Sequence, residues 1–267
     1  RHEIPGQEIP KIRYMNLLIQ EIFLADGTFV KFKGRPVILG NFEKELMSSL
    51  ELISNHSPVV HALSLRIIFV LRVIRDLVLY SRDVENAYLR APLPKPEYMK
   101  LPAGYEDAGG RTYGKLLRAM PGKVESGKLW HKRLSFLYST FNKSFHGYNL
   151  TKNVKDPTVY YDWNQKNKQY MIHGICVDNL IFATNIPSYP NDISTHLSNN
   201  DCPVTEEPAT SILGMSISYE NECLCLDCIG YIEQLSQQFD ITNDLPDIFT
   251  PLPVNIEDVL EAVVKII

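Results

Sequence analysis

Two acidic residues far apart in the chain stand where carboxylate chemistry could be done. Asp178 lies inside residues 170–184, YMIHGICVDNLIFAT, between the apolar runs 171–177 and 180–183. Their Ile, Val, Phe and Leu favour strands, and Asp178-Asn179 reads as the two-residue tip of a β-hairpin. Asp83 follows a second apolar run, residues 77–80, within Ser81-Arg82-Asp83-Val84. An acid at the end of a buried ribbon needs either the hydrogen bonds of the turn itself or a cation. Taken alone, Asp178 would be satisfied as an Asx-type turn. Two such acids meeting on one sheet could instead hold a divalent metal through oxygen ligands.

The elements that must position them are legible in outline. Residues 17–24 and 28–32, joined by Ala25-Asp26-Gly27, predict a hairpin through the D-G turn signal. Lys31, Lys33 and Arg35 follow, either as phosphate contacts or as the charges that protect an edge strand. Residues 62–78 carry apolar side chains at helical spacing and predict a packed helix. Pro92, Pro94, Pro96, Pro102, Gly104, Gly109 and Gly110 predict a long irregular connection. Gly109-x4-Gly114-Lys115 is spelled like a phosphate loop, but Leu116 stands where a Ser or Thr would hold magnesium and no strand precedes it.

From Ser126, the expected cap, an amphipathic helix runs with Leu129, Trp130, Leu134, Leu137, Tyr138 and Phe141 as its apolar positions. Those aromatics read as core rather than as platforms for stacking bases. Residues 164–168 make a polar turn before the central hairpin. Cys223-x-Cys225-x2-Cys228 has no nearby His to complete a zinc set and alternates like a strand. Residues 231–242 read as a short helix.

A chain of 267 residues that is 45% hydrophobic has enough apolar surface for one large core or two modest ones. Residues 63–80 include Arg66, Arg72, Arg75 and Asp76, too many charges for a membrane span. Charges throughout residues 1–20 do not make a secretory leader, and Arg1 in place of an initiator Met suggests a fragment. Five cysteines, an odd number, point to reduced thiols and an intracellular location. Charge is divided: residues 1–168 hold 26 Lys and Arg against 16 Asp and Glu, a net +10. Residues 169–267 hold only Lys265 against 15 acids, a net −14. The first part suits a polyanion and the last third would repel one.

The residues around Asp83 carry a resemblance. Asp83-Val84-x-x-Ala87-Tyr88-Leu89 followed by YMKLPAGYED resembles the first catalytic motif of copia-type retrotransposon reverse transcriptases, D-V-x-x-A-F-L with Y-M-x-x-P-x-G-F. The central hairpin resembles the same family's Y-V-D-D. Further matches are Lys33 and Arg35 to its K-A-R-L-V-A-R-G-F, with Leu39 where the second Arg belongs, and Ser57-Pro58-Val59-Val60 to S-P-V-V. Asp156-Pro157-x-Val159-Tyr160 matches D-P-x-V-Y, residues 211–215 resemble Y-F-L-G-I, and residues 231–252 resemble Y-I-x-x-L through S-T-P-L.

The resemblance covers residues 31–252 and implies an α+β, right-hand polymerase fold. Fingers would take residues 1–75 and part of 91–130, a palm of antiparallel sheet backed by helices 76–215, and a small thumb 216–267, with the family's RNase H domain absent. It implies RNA-directed DNA synthesis by metal-assisted nucleotidyl transfer, with an RNA template, a DNA primer and deoxynucleotides as partners and Mg2+ or Mn2+ as cofactor. Asp83, Asp178 and Asn179 would occupy the catalytic positions, with Asp83, Asp178 and the Val84 carbonyl toward metal. Lys33, Arg35, Val84, Tyr88 and Gly122 would contact the nucleotide, Tyr88 screening the sugar 2′ position.

Departures cluster at the same site. Asn179 replaces the second Asp of the pair and Cys176 the leading Tyr. In the family's K-L-x-x-S-L-Y-G-L-K-Q-S-P-R-x-W, Lys115, Leu116, Gly122 and Trp130 are kept. Pro121, Val124, Glu125 and Gly127 stand at the Tyr, Lys, Gln and Pro, and Lys128 keeps the charge of the Arg without its planar fork. Val204 stands at the Lys of M-K-D-L-G, a general acid in the family. Each loss of charge weakens a hard-cation site, so metal binding is expected to be weakened or lost and catalysis impaired. The other reading is a decayed or repurposed polymerase fold that binds nucleic acid or a protein without catalysis.

Overall fold

The computed structural model describes residues 12–23, 29–39, 57–102, 104–105, 110, 112–220 and 223–239. These divide into two compact units, residues 1–209 with 221–224, and residues 210–220 with 225–267. Mixed α and β structure fills both.

The first unit is built on a six-stranded antiparallel sheet. It holds β3 (Val78–Val84), β6 (Thr151–Lys152), β7 (Val159–Asn164), β8 (Gln169–Cys176), β9 (Asn179–Thr184) and β10 (Val204–Glu207), in the order β10-β3-β9-β8-β7-β6. β8 and β9 are buried almost throughout, as their unbroken apolar sequence requires. Successive side chains leave opposite faces of a strand, and helices cover both faces here. On one lies α1 (Ala62–Ile74), whose Ile68 and the preceding Val60 would each be 3.1 Å from a Cβ on Gly174. That glycine, in the middle of β8, lets the helix sit against the sheet.

On the other face lie α2 (Ser126–Ser144) and α3 (Tyr189–Ser198). Trp130, Leu134, Leu137, Tyr138 and Phe141 recur at helical spacing along α2 and are buried with Ile175, Leu180 and Phe182 of the sheet. His173 is sealed among Tyr138, Tyr160, Phe182 and Tyr189 and accepts or donates one hydrogen bond, Nδ1 to the Tyr189 hydroxyl at 2.8 Å. Burial drops its pKa to about 3 and keeps it neutral.

A second, four-stranded sheet in the order β2-β1-β4-β5 belongs to the same unit. It comprises β1 (Ile12–Phe23), β2 (Phe29–Ile38), β4 (Pro92–Lys100) and β5 (Tyr113–Arg118). β2 is its edge, so the row Lys31, Lys33, Arg35 does lie on an edge strand. The expected turn at Asp26-Gly27 lies outside the described residues.

The second unit carries β11 (Ser211–Ile212), β12 (Met215–Glu220), residues 225–227 of β13 (Cys223–Asp227) and α4 (Ile229–Gln238), the three strands forming a sheet in the order β11-β12-β13. Cys223 and Cys225 fall in a strand, as their alternation predicts. Among the described residues no helix is long and apolar enough to cross a membrane.

Four sequence expectations need correction. The helix expected over residues 62–78 ends at Ile74, where Asp76 turns the chain at φ 48° into β3. The connection expected to be irregular at residues 92–100 is β4; Pro94 and Pro96 fall in a bulge, since the register jumps from Pro92↔Arg118 to Glu97↔Leu116. Within that bulge no ladder hydrogen bond is lost to proline. Ser126 does not cap α2: Glu125 holds that position, and the Ser126 hydroxyl donates to the Met120 carbonyl at 2.6 Å. The last helix begins at Ile229 and not at residue 231.

Candidate active site

The central hairpin is real, but its tip is one residue earlier than the sequence suggested. Cys176 pairs with Asn179, so Val177 and Asp178 form the turn and Asn179 is the first residue of β9. A strand run and a turn residue cannot be told apart by type when a β-branched valine takes the corner. Val177 has φ 60°, and Asp178 has no positive φ. Positive φ at the first turn residue alone is the sign pattern of a type II′ turn, where glycine is usual.

This one-residue difference decides where the acids go. Asn179 pairs across β9 and β3 with Asp83, and the Val84 N–H donates to the Asp178 carbonyl at 2.9 Å. Two strands thus bring Asp83, Val84, Asp178 and Asn179 to one end of the sheet. Asn179 Nδ2 donates to Asp178 Oδ1 at 3.3 Å. Val84 itself is buried in the core.

The electrostatics at Asp83 are those of crowded carboxylates. Burial first, then the Asp178 and Glu207 charges, push its carboxyl above the ordinary aspartate range, and Lys33 pulls in the other direction. Lys33 of the edge strand therefore reaches the site electrostatically. Arg35, two residues on, leaves the same face of β2. Tyr88 sits in the 3-10 turn Ala87–Arg90 immediately after β3, half-buried; burial and then the Asp178 charge raise its phenol. Gly122 is held elsewhere, at φ 84° against the Ile38 backbone at the end of β2.

Two carboxylates brought to one strand end are hard donors of the kind Mg2+ or Mn2+ takes, and the Asn179 amide lies beside Asp178. Their mutual repulsion is what a cation would relieve. Among the described residues no three His, Cys, Asp or Glu are grouped as a metal site, so the charge offered is that of Asp83 and Asp178. Glu207 adds to the field at Asp83 from β10, where Thr205 pairs with Asp83 and Glu207 with Ser81.

A raised carboxyl destabilises the fold in its ionised form. Its contribution is least unfavourable below the unfolded pKa and worsens as pH climbs through the raised folded value. Asp83→Asn, which cannot ionise, is therefore expected to melt about 1–3 °C above the wild type at pH 7 without divalent metal, allowing for solvent screening. Saturating Mg2+ should shrink the gap if the Asp83 carboxylate takes a cation as partner. Thermal denaturation with and without Mg2+ checks both.

Sequence reasoning missed two features here. Trp130, read only as core, also donates its indole N–H to the Val177 carbonyl at 2.6 Å. Lys123, at the position of a family Leu, is buried, with Nζ 3.1 Å from Glu97 and 3.0 Å from Glu125. Glu97 is also 3.1 Å from Arg13 Nε. Glu125, which stands at the family's Gln, is thus paired within the chain. A Lys flanked two residues on by Glu was the available signal, but partners far off in sequence, such as Glu97, carry none.

Residues 22–253 match the family described as reverse transcriptase (RNA-dependent DNA polymerase). The chain belongs to that family, in its copia-type branch. It is 30% identical over 235 residues to the retrovirus-related Pol polyprotein from transposon TNT 1-94 of Nicotiana tabacum, covering 85% of this chain and 16% of that protein. To the Pol polyprotein from transposon RE1 of Arabidopsis thaliana it is 24% identical over 229 residues, covering 85% of this chain and 15% of that protein. The copia-type chain thus spans a small part of the length of these relatives.

Proposed function

We propose that this reverse transcriptase domain extends a DNA primer on an RNA template, slowly, with one or two divalent cations held by Asp83 and Asp178. The observation that carries the reading is the meeting of Asp83, Asp178 and Asn179 at one end of β3 and β9, with Tyr88 beside Asp178 and the Lys33 charge felt at Asp83. In this reading the fold is the right-hand one: the four-stranded sheet serves as fingers, the six-stranded sheet with its helices as palm, and the C-terminal unit as thumb. The metal, when bound, would activate the primer 3′ hydroxyl and carry the triphosphate. Asp83 and Asp178 hold it, and the Asn179 amide oxygen adds a neutral donor. Lys33 and Arg35 meet phosphate and Tyr88 packs under the sugar, while Gly122, held against the Ile38 backbone, supports the end of the strand that carries those two cations. The protein works inside the cell.

Tyr88 gives the discriminating test of nucleotide use. Tyr88→Ala should admit ribonucleotides, raising their incorporation relative to deoxynucleotides at least about tenfold, the scale of one removed steric contact in a site. Primer extension with each nucleotide class measures the ratio. An unchanged ratio in an active variant would remove Tyr88 from the nucleotide site.

A second reading is favoured by one contact. The Asn179 amide donates to Asp178 Oδ1, so part of the capacity of that carboxylate is taken up within the chain. A fold satisfied in this way would bind nucleic acid or a protein without catalysis.

A further inference from the structure

The turn that presents Asp178 is strained and is held from two sides. Val177 is β-branched at φ 60°, a conformation that such a residue rarely adopts and that persists only where its surroundings enforce it. On one side, the Val84 N–H of β3 holds the Asp178 carbonyl at 2.9 Å. On the other, Trp130 Nε1 of α2 holds the Val177 carbonyl at 2.6 Å. Both successive peptide planes of the turn are therefore pinned, and with them the direction in which the Asp178 side chain leaves the backbone.

Packing alone does not account for Trp130. Its ring is 2% exposed within the core that includes Leu134, Leu180 and Ile175, and a phenylalanine or leucine could fill much of that space. An indole adds a single buried donor, which must find an acceptor. The acceptor it finds is the carbonyl of the strained residue directly before Asp178.

We propose that Trp130 is a positioning residue for the metal site: its indole N–H holds Val177 in the left-handed conformation and so fixes Asp178 where it can share a cation with Asp83. This rests on the reading of Asp83 and Asp178 as metal ligands. Trp130 touches neither substrate nor cation; it acts through the turn.

The test measures Mn2+ binding by water-proton relaxation on wild type, Asp178→Ala, Trp130→Phe, Val177→Gly and the Trp130→Phe/Val177→Gly double variant. Trp130→Phe, folded by circular dichroism, should bind Mn2+ about tenfold more weakly, the effect of losing one buried hydrogen bond. Glycine adopts φ 60° without strain, so on the Val177→Gly background the same substitution should cost less than about threefold. A merely structural tryptophan would lower the denaturation midpoint equally on both backgrounds and leave Mn2+ affinity alone, and that result overturns the proposal. If Asp178→Ala binds Mn2+ as the wild type does, the metal reading itself has failed and the proposal falls with it. Loss of binding in Asp178→Ala with none in folded Trp130→Phe removes Trp130 only.

Should Trp130→Phe fail to fold, the wild type supplies the answer. Binding is reciprocal, so Mg2+ should slow hydrogen exchange of the Trp130 indole proton several-fold. Exchange indifferent to Mg2+ would overturn the coupling.

Discussion

Asn179→Asp is expected to raise the rate of RNA-templated primer extension about 10- to 100-fold over the wild type. Asn179 pairs directly with Asp83 across the two central strands, so the substitution places a carboxylate where an amide oxygen now stands. Charge aimed at a developing phosphoryl transition state in a preorganised site is worth roughly two orders of magnitude per group in other enzymes, and a third carboxylate also tightens a hard cation. The same change removes the Asn179 N–H that now donates to Asp178. Without metal, three carboxylates would repel one another, and Asn179→Asp should melt below the wild type. Faster extension together with lower metal-free stability is the signature to look for. An Asn179→Asp protein that is folded and no faster than the wild type would mean that charge at this position is not what limits the reaction.

Gly122→Ala should be the most damaging single methyl group in the first unit. A Cβ there would overlap the Ile38 carbonyl oxygen, and φ 84° is a region that L side chains rarely adopt. The Ile38 N–H also donates to the Pro121 carbonyl at 2.8 Å, and Ile38 is itself buried. Backbone meets backbone, so no side chain can swing away. The conformational term is about 1–2 kcal/mol, and forced separation of β2 from the turn adds to it, for a total of about 3 kcal/mol or more out of a marginal total stability. Urea denaturation measures it. A loss under about 1 kcal/mol would mean that β2 and the turn separate readily, and that Gly122 answers to the nucleotide rather than to Ile38.

Much of the site was legible because its residues are local signals at strand ends. Asp83 and Asp178 each follow an apolar run, and the polymerase resemblance joins them although nearly a hundred residues intervene. What the sequence concealed were long-range or conformational facts. Val177 looks like the end of a strand, and only the pairing of Cys176 with Asn179 reveals it as the corner. Pro94 and Pro96 forbid an ordinary ladder, yet a bulge accommodates them in β4. Lys123 is buried against Glu97, on a strand of the four-stranded sheet, and a partner that far off in the chain leaves no local signal. Trp130 was placed correctly in the core, but a hydrogen bond across 47 residues to Val177 leaves no pattern in the chain.

Nucleotide addition, if this domain performs it, must depend on Asp83 and Asp178. The direct measurement is extension of a DNA primer on an RNA template with Mn2+ and deoxynucleotides, wild type beside Asp83→Ala. Slow extension by the wild type, abolished in folded Asp83→Ala, is the predicted result. A wild type that binds the primer–template and never extends it, or an Asp83→Ala protein that extends as well as the wild type, would contradict it.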